Sequence, residues 1–308
     1  MSDSPVTSQD PVPVLDRHSK ENRWYYKEIN DQVQPISRKL LEEYSHIPAN
    51  EIDAHIYKMR DILWSHAPYP CVGEFKFLDL RLPKHPLYTQ ILTTLRKPSS
   101  PILDMGCCVA SDLRSLAHNG IPSTQLFGTD IISSYLTTSY SVFKDTDTFH
   151  GTLVPANIFS PSLFSDEFAG WEGRFSIIHA GLFLHLFNWE QQLTVCEIIA
   201  KLLKEEEGAI LVGEMVGCQG GGLRGGPANT DFWKKERRHW QYLHDEESFA
   251  RLWGEVEGRT GTEGMWKVDS KFVVRRQEKG GDGSKSCAFF EGEGIGWFTF
   301  SVARVMGS

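Results

Sequence analysis

The residues of this chain best placed to do chemistry lie between 102 and 131. Ile102-Leu103-Asp104 runs into Met105-Gly106-Cys107-Cys108-Val109-Ala110, an apolar strand that ends in a small-residue turn before a helix. Such a turn lets a ligand approach backbone N–H groups and the positive end of the next helix. Phe127-Gly128-Thr129-Asp130-Ile131 then ends a second apolar segment on an acid. A carboxylate at that point can accept hydrogen bonds from both hydroxyls of a ribose. Together the two features describe a ribose-bearing cofactor lying across the carboxyl edge of a parallel sheet.

Fewer residues offer chemistry elsewhere. His179 and His185 stand six apart, a poor spacing for a shared metal, and each reads first as a buried, satisfied histidine. Cysteines 71, 107, 108, 196, 218 and 287 form no CxxC and have no matching histidine pair, so neither a disulfide frame nor a metal site is expected. Arg224 lies in a glycine-rich stretch, Gly217 to Gly226, which lacks the G-K-[ST] of a phosphate loop and reads as a lid or substrate-adjacent loop.

The elements that must hold these groups alternate. Apolar strands are expected at 101–106, 125–130, 175–179 and 209–214. Between the first two, Leu113, Leu116 and Ala117 are spaced for a helix, with Ser111 as its N-cap and Asn119-Gly120 as its stop. Leu193, Cys196, Ile199 and Leu203 form one face of another helix. This alternation predicts βαβ units and a mainly parallel sheet. Two late strands, 267–274 and 296–302, are separated by a Gly/Lys/Ser-rich stretch with no helical pattern, which favours antiparallel pairing at the sheet's end. Upstream, Asn50 and Asp53 resemble a cap pair, Ile52, Ile56, Met59 and Leu63 recur at helical spacing, and Pro86 suits a first helical turn before Leu87, Ile91 and Leu95. The organisation expected is a disordered tail over 1–20, a helical arm or cap over 21–100, and a core over 101–308.

Composition narrows the class. Forty per cent hydrophobic residues suffice for a core, and no apolar run is long enough for a membrane span. The first 25 residues lack a basic region followed by an apolar stretch, so a cytoplasmic location is expected. The net charge of −8 disfavours nucleic acid as a partner, and the basic patch Lys234, Lys235, Arg237, Arg238 is flanked by acids and reads as a solvated helix face.

A dinucleotide fingerprint needs G-x-G-x-x-G, whereas this turn has the single Gly106. It resembles instead motif I of the class I S-adenosylmethionine-dependent methyltransferases, D-x-G-x-G-x-G. Asp104 and Gly106 match, while Cys108 and Ala110 replace the later glycines; a cofactor without phosphate tolerates a less open turn. The narrower wording of Pro101 to Cys108, of Lys76-Phe77-Leu78-Asp79-Leu80 with Pro83 to Tyr88, and of Trp24-Tyr25-Tyr26 is similar to the fungal secondary-metabolite methyltransferases of meroterpenoid pathways. That resemblance implies a Rossmann-like α/β fold: a mostly parallel sheet, an antiparallel C-terminal strand and an N-terminal helical cap. It implies S-adenosyl-L-methionine as cofactor, with Asp104 orienting the turn and the methionyl end and Asp130 binding the ribose. Gly106, Cys107, Ile131 and Ala180 would complete the cofactor site, with Asn157 on the adenine amino group and Ile158 over its ring. Trp24, Tyr25 and Tyr26 would close over the cofactor or an apolar substrate.

The same resemblance implies methyl-esterification of a small, largely apolar acid, such as a farnesylated aromatic polyketide acid. A carboxylate is ionised at neutral pH and needs no base, whereas a phenol of pKa ~10 benefits from one. No His/Asp dyad shows in the sequence spacing, which favours the carboxylate, and Arg224 is the cation expected to pair with it. His179 and His185 are the other substrate-side candidates. C- or N-methylation, a cyclase on the same fold, a nicotinamide-dependent oxidoreductase and a non-catalytic binding protein are the alternatives. An apolar arm on such a core is compatible with a homodimer.

Overall fold

The computed structural model describes residues 17–225, 240–274 and 293–305. The patch at Lys234, Lys235, Arg237 and Arg238 and most of the expected 1–20 tail lie outside the described residues.

The N-terminal part is helical: α1 (Pro35–Glu43), α2 (Ile52–His66), the single turn α3 (Pro70–Gly73) and α4 (Tyr88–Leu95). Two local expectations fail here. Glu51, not Asn50, precedes α2 and its side chain makes no cap bond, and Asp53, the expected partner of Asn50, pairs with Arg38 instead. Pro86 lies two residues before α4, ahead of its first turn. The core follows with β1 (Ile102–Met105), α5 (Ser111–His118), β2 (Leu126–Asp130), α6 (Ser133–Phe143), β3 (Thr152–Pro155), β4 (Ile177–His179), α7 (Trp189–Leu202), β5 (Ile210–Cys218), β6 (Gly222–Gly225), β7 (Trp240–Leu243), α8 (Glu246–Thr260), β8 (Trp266–Val274) and β9 (Ile295–Arg304). Ser111 opens α5 rather than capping it. Its hydroxyl is committed to the Phe77 carbonyl, 2.6 Å away.

One sheet has the order β3-β2-β1-β4-β5-β9-β8. The first five strands run parallel, and β9 alone opposes them, paired antiparallel with both β5 and β8. This is the class I methyltransferase arrangement expected above. Every residue of β1 is buried, as a central strand covered on both faces requires. Edge strand β8 alternates instead, one face wet. Full capping boxes start α7 (Asn188 with Gln191) and α8 (Asp245 with Ser248). The glycine-rich stretch is not an irregular loop: Gly217 lies inside β5, and β6 pairs with β7 as an antiparallel ribbon. Among the described residues no helix is long and apolar enough to cross a membrane.

The helical part shares its core with the sheet domain. Trp24, Leu63, Trp64 and Phe75 pack in one cluster with Val109, Tyr135 and Phe143. A buried ion pair, Arg114 Nε to Asp145 at 2.9 Å, is completed by the Tyr44 hydroxyl from the helical side. Arg81, between α3 and α4, binds Asp79 and reaches across to Glu214 on β5.

Candidate functional site

The carboxyl ends of β1, β2 and β4 open on a cavity of about 560 Å³, within the range of small-molecule sites. Its floor is the turn after β1. Gly106, Cys108 and Ala110 all have positive φ, +69°, +52° and +54°. These are the three glycine positions of the motif, so the turn keeps its left-handed path where the sequence departs from glycine. Non-glycine residues hold that conformation at about 1–2 kcal/mol each. A side chain at Gly106 would strike the Phe183 ring, 2.6 Å from the added carbon.

What fixes the turn is Asp130, not Asp104. Cys108 N–H donates to one Asp130 oxygen and Ile132 N–H to the other, both at 2.9 Å, while Gly106 and Cys107 N–H groups share the Thr129 carbonyl. Each Asp130 oxygen keeps acceptor capacity, and the residue lines the cavity. Burial pushes its pKa up, against the pull of those N–H donors. Thr129 beside it also lines the cavity, and its hydroxyl is buried without a hydrogen-bond partner. A ribose with two adjacent hydroxyls fits this donor-poor, acceptor-rich corner.

Asp104 is committed elsewhere. Its Oδ1 meets Nδ1 of His179 at 2.8 Å, both side chains almost fully buried. The two are direct register partners on β1 and β4, so the sheet builds the His/Asp dyad that sequence spacing did not show. Burial pulls the imidazole pKa down, but Asp104, with Asp112 and Glu214 beyond it, overrides that and holds it above the ordinary value. Asp112, on α5, accepts the N–H groups of Arg81 and Leu82, and burial raises its pKa to about 6. No described residue bonds Nε2 of His179, and the ring lines the cavity. It passes so close to Gly181 that a methyl group there would sit 2.9 Å from Nε2. His185 also lines the cavity; burial, aided by the Arg81 charge, drops its pKa to about 3, so it is uncharged at neutral pH.

Cys107, Ile131, Asn157 and Ile158 line the cavity as well. Asn157 also caps its own turn, accepting Phe159 N–H at 3.1 Å. Ala180 does not line it: its N–H joins the ladder to Val212 and its methyl is in the core, leaving Gly181 and Leu182 at the surface of the cavity. Of the three N-terminal aromatics only Trp24 reaches the cavity. Tyr25 donates to Asp61 and stacks on Arg60, and Tyr26 N–H bonds the Gly73 carbonyl. Arg224 is not part of it. It is exposed on β6 and its guanidinium donates to Cys218 Sγ at 2.8 Å.

Sequence reasoning missed Lys76, Arg81, Phe183, Phe187 and Gln241, all of which line the cavity. Arg81 and Lys76 are held by carboxylates of their own, Asp79 and Glu214 for the first and Glu74 for the second. The short Phe183-x-x-x-Phe187 spacing was a visible aromatic signal; nothing local marked Gln241. Among the described residues no cluster of three or more His, Cys, Asp or Glu side chains is placed to hold a metal.

Comparison with known proteins adds an independent finding. Residues 24–78 match the family described as meroterpenoid methyltransferase N-terminal domain. The chain is 36% identical to O-methyltransferase phiE of a fungal species (strain ATCC 74256), over 85% of this chain and 83% of the relative. It is 33% identical to the asnovolin E/chermesin D methyltransferase nvfJ of Aspergillus novofumigatus, over 75% and 80% respectively. Among solved structures it is similar to the 1,6-didemethyltoxoflavin-N1-methyltransferase of Burkholderia thailandensis, with a TM-score of 0.49, 14% identity, and 84% and 92% of the two chains covered.

Proposed function

Because the chain belongs to this family of fungal secondary-metabolite methyltransferases, S-adenosylmethionine-dependent enzymes, we propose that it methylates a carboxylate oxygen of a small, largely apolar acid. The nicotinamide alternative falls with that membership. The observation that carries the finer reading is the His179–Asp104 dyad, whose ring lines an aromatic-rich cavity and whose Nε2 no described residue bonds.

S-adenosylmethionine supplies an electrophilic methyl group when bound. Asp130 would hold its ribose hydroxyls, Asn157 its adenine amino group, and Ile131 and Ile158 would cover the ring. On the substrate side, Asp104 fixes the His179 ring, so that Nε2–H donates to one oxygen of the acid and leaves the other free to attack. No proton has to be removed, because the acid is already ionised. Phe183, Phe187 and Leu186 exclude water and accommodate an apolar body, for which a farnesylated aromatic polyketide acid is suited.

A His/Asp dyad is also the apparatus of a general base, and it supports a second reading, O-methylation of a phenol. The two differ in sign. Esterification needs the proton on Nε2, so its rate falls as pH rises through the raised His179 pKa; phenol methylation needs the neutral ring, so its rate climbs. Incubation with methyl-labelled cofactor and prenylated aromatic acids should yield a base-labile labelled ester. A base-stable labelled ether, amine or C-methyl product, or no label transfer, overturns esterification. His179→Asn should lower kcat/KM for the acid by roughly ten- to a hundredfold, the loss of one charge-assisted hydrogen bond, with S-adenosylhomocysteine affinity by calorimetry unchanged.

A further inference from the structure

We propose that Gln241 reads a neutral hydrogen-bonding substituent on the body of the substrate, a hydroxyl or carbonyl, and so selects among acids; this rests on the esterification reading. Gln241 sits on β7 and is only 6% exposed, on a wall of the cavity it shares with His185, Leu186 and Phe187. Its Oε1 is buried without a hydrogen-bond partner, and no described residue bonds its amide nitrogen.

A second buried glutamine shows what the fold does with such a group when it serves structure. Gln192 on α7 is fully buried, donates to the Phe187 and Tyr242 carbonyls at 3.0 and 2.8 Å, and meets His244 Nε2 through its Oε1 at 2.9 Å. His244 is in turn held by Ser248 of the α8 capping box. That network, with Tyr242 N–H on the Phe187 carbonyl, clamps β7 against residues 184–187. Gln241 is therefore held on a rigid strand next to satisfied polar groups, yet its own amide is left open. An apolar side chain of the same length would remove a buried unpaired group. A ligand that bonds the amide removes it as well.

The chemistry of the wall sets the class of group read. Arg224, register partner of Gln241, is exposed and turned to Cys218, and His185 is uncharged. Among the described residues the wall thus offers a neutral donor–acceptor, and Arg81, the cation near enough to act on His185, is already held by Asp79 and Glu214, so the wall suits a hydroxyl or carbonyl, while the carboxylate goes to His179. A site built to hydrogen-bond such a group rejects the analogue that lacks it far more strongly than an apolar pocket rejects a missing methylene.

The test pairs selectivity with stability. The probes are a prenylated benzoic acid bearing ring hydroxyls and its deoxy analogue. The wild-type enzyme should prefer the hydroxy acid by about thirtyfold or more in kcat/KM, and Gln241→Met should bring that ratio within about threefold. Gln241→Met should also melt roughly 2–4 °C higher, with S-adenosylhomocysteine affinity unchanged. Gln241→Glu, which still accepts a hydrogen bond, should retain the preference for the hydroxyl. A lower melting temperature for Gln241→Met, or the same selectivity as wild type, overturns the proposal. Absence of methyl transfer to either acid by wild type would overturn the esterification reading instead, and the melting shift would still judge Gln241.

Discussion

At the β1–β2 wall of the cavity both Asp130 oxygens accept backbone N–H groups, and Gly106 and Cys107 donate to Thr129. At the β7 wall no described residue bonds the Gln241 amide, which lines the cavity with His185, Leu186 and Phe187. The first wall is fixed by main-chain bonds before any ligand arrives, which suits a cofactor common to every turnover. The second is clamped by the side chains of Gln192 and His244 and leaves its own polar side chain for a ligand to satisfy, which suits a substrate. The dyad of Asp104 and His179 lies between them, with one nitrogen committed to the protein and one open.

The two walls differ most at Asp130. Asp130→Ala removes both the clamp on the turn and the acceptor for two hydroxyls, each a charge-assisted bond of about 1.5–3 kcal/mol. Calorimetry should show S-adenosylhomocysteine binding weakened by roughly 10²- to 10⁴-fold, a loss that no β7 substitution should cause. If Asp130→Ala binds as wild type does, the β1–β2 wall is not the cofactor wall.

A smaller effect tests whether the region between the walls carries strained charge. The Asp112 carboxyl keeps its proton to about pH 6 in the fold against 3.8 unfolded. A group whose pKa is raised by folding costs stability as it ionises, so wild-type stability should decline as pH rises from about 4 to 6, by up to about 3 kcal/mol. Asp112→Asn preserves an acceptor for the Arg81 and Leu82 N–H groups and should remove that decline. Urea unfolding of both proteins across this pH window reads the difference; parallel curves would mean that His179 and the N–H donors fully offset the burial.

How much of this was legible follows the same division. The strand–turn–helix around Gly106, the acid at Asp130 and the antiparallel finish at β9 are local patterns, and periodicity with turn chemistry exposes them. The dyad is not local: Asp104 and His179 meet because β4 crosses over to pair with β1, and chain spacing carries no trace of that register. Arg224 misled for a related reason. Its glycine-rich surroundings looked like a loop free to fold over the site, but β6 pairs with β7, and the ribbon turns the guanidinium to Cys218. The Asn50 and Ser111 caps failed because competing tertiary partners, Arg38 for Asp53 and the Phe77 carbonyl for Ser111, outbid the local bond.

The smallest effect lies within the β1–β2 wall itself. Ala110 holds φ near +54° at the start of α5, fully buried, and Cys108 holds +52° two residues earlier. Left-handed backbone costs a non-glycine residue about 1–2 kcal/mol, while glycine adds about 0.4–1 kcal/mol of disorder to the unfolded chain. Ala110→Gly removes the first and incurs the second, so it should stabilise the protein by roughly 0.5–1 kcal/mol in urea unfolding. The Cys108 thiol lines the cavity beside Cys71 and Tyr135, so Cys108→Gly loses packing as well and should gain less. A destabilised Ala110→Gly would mean that the methyl group's packing outweighs the strain. The wall would then owe its shape to side chains, as the β7 wall does, and not to the backbone bonds that now set the two apart.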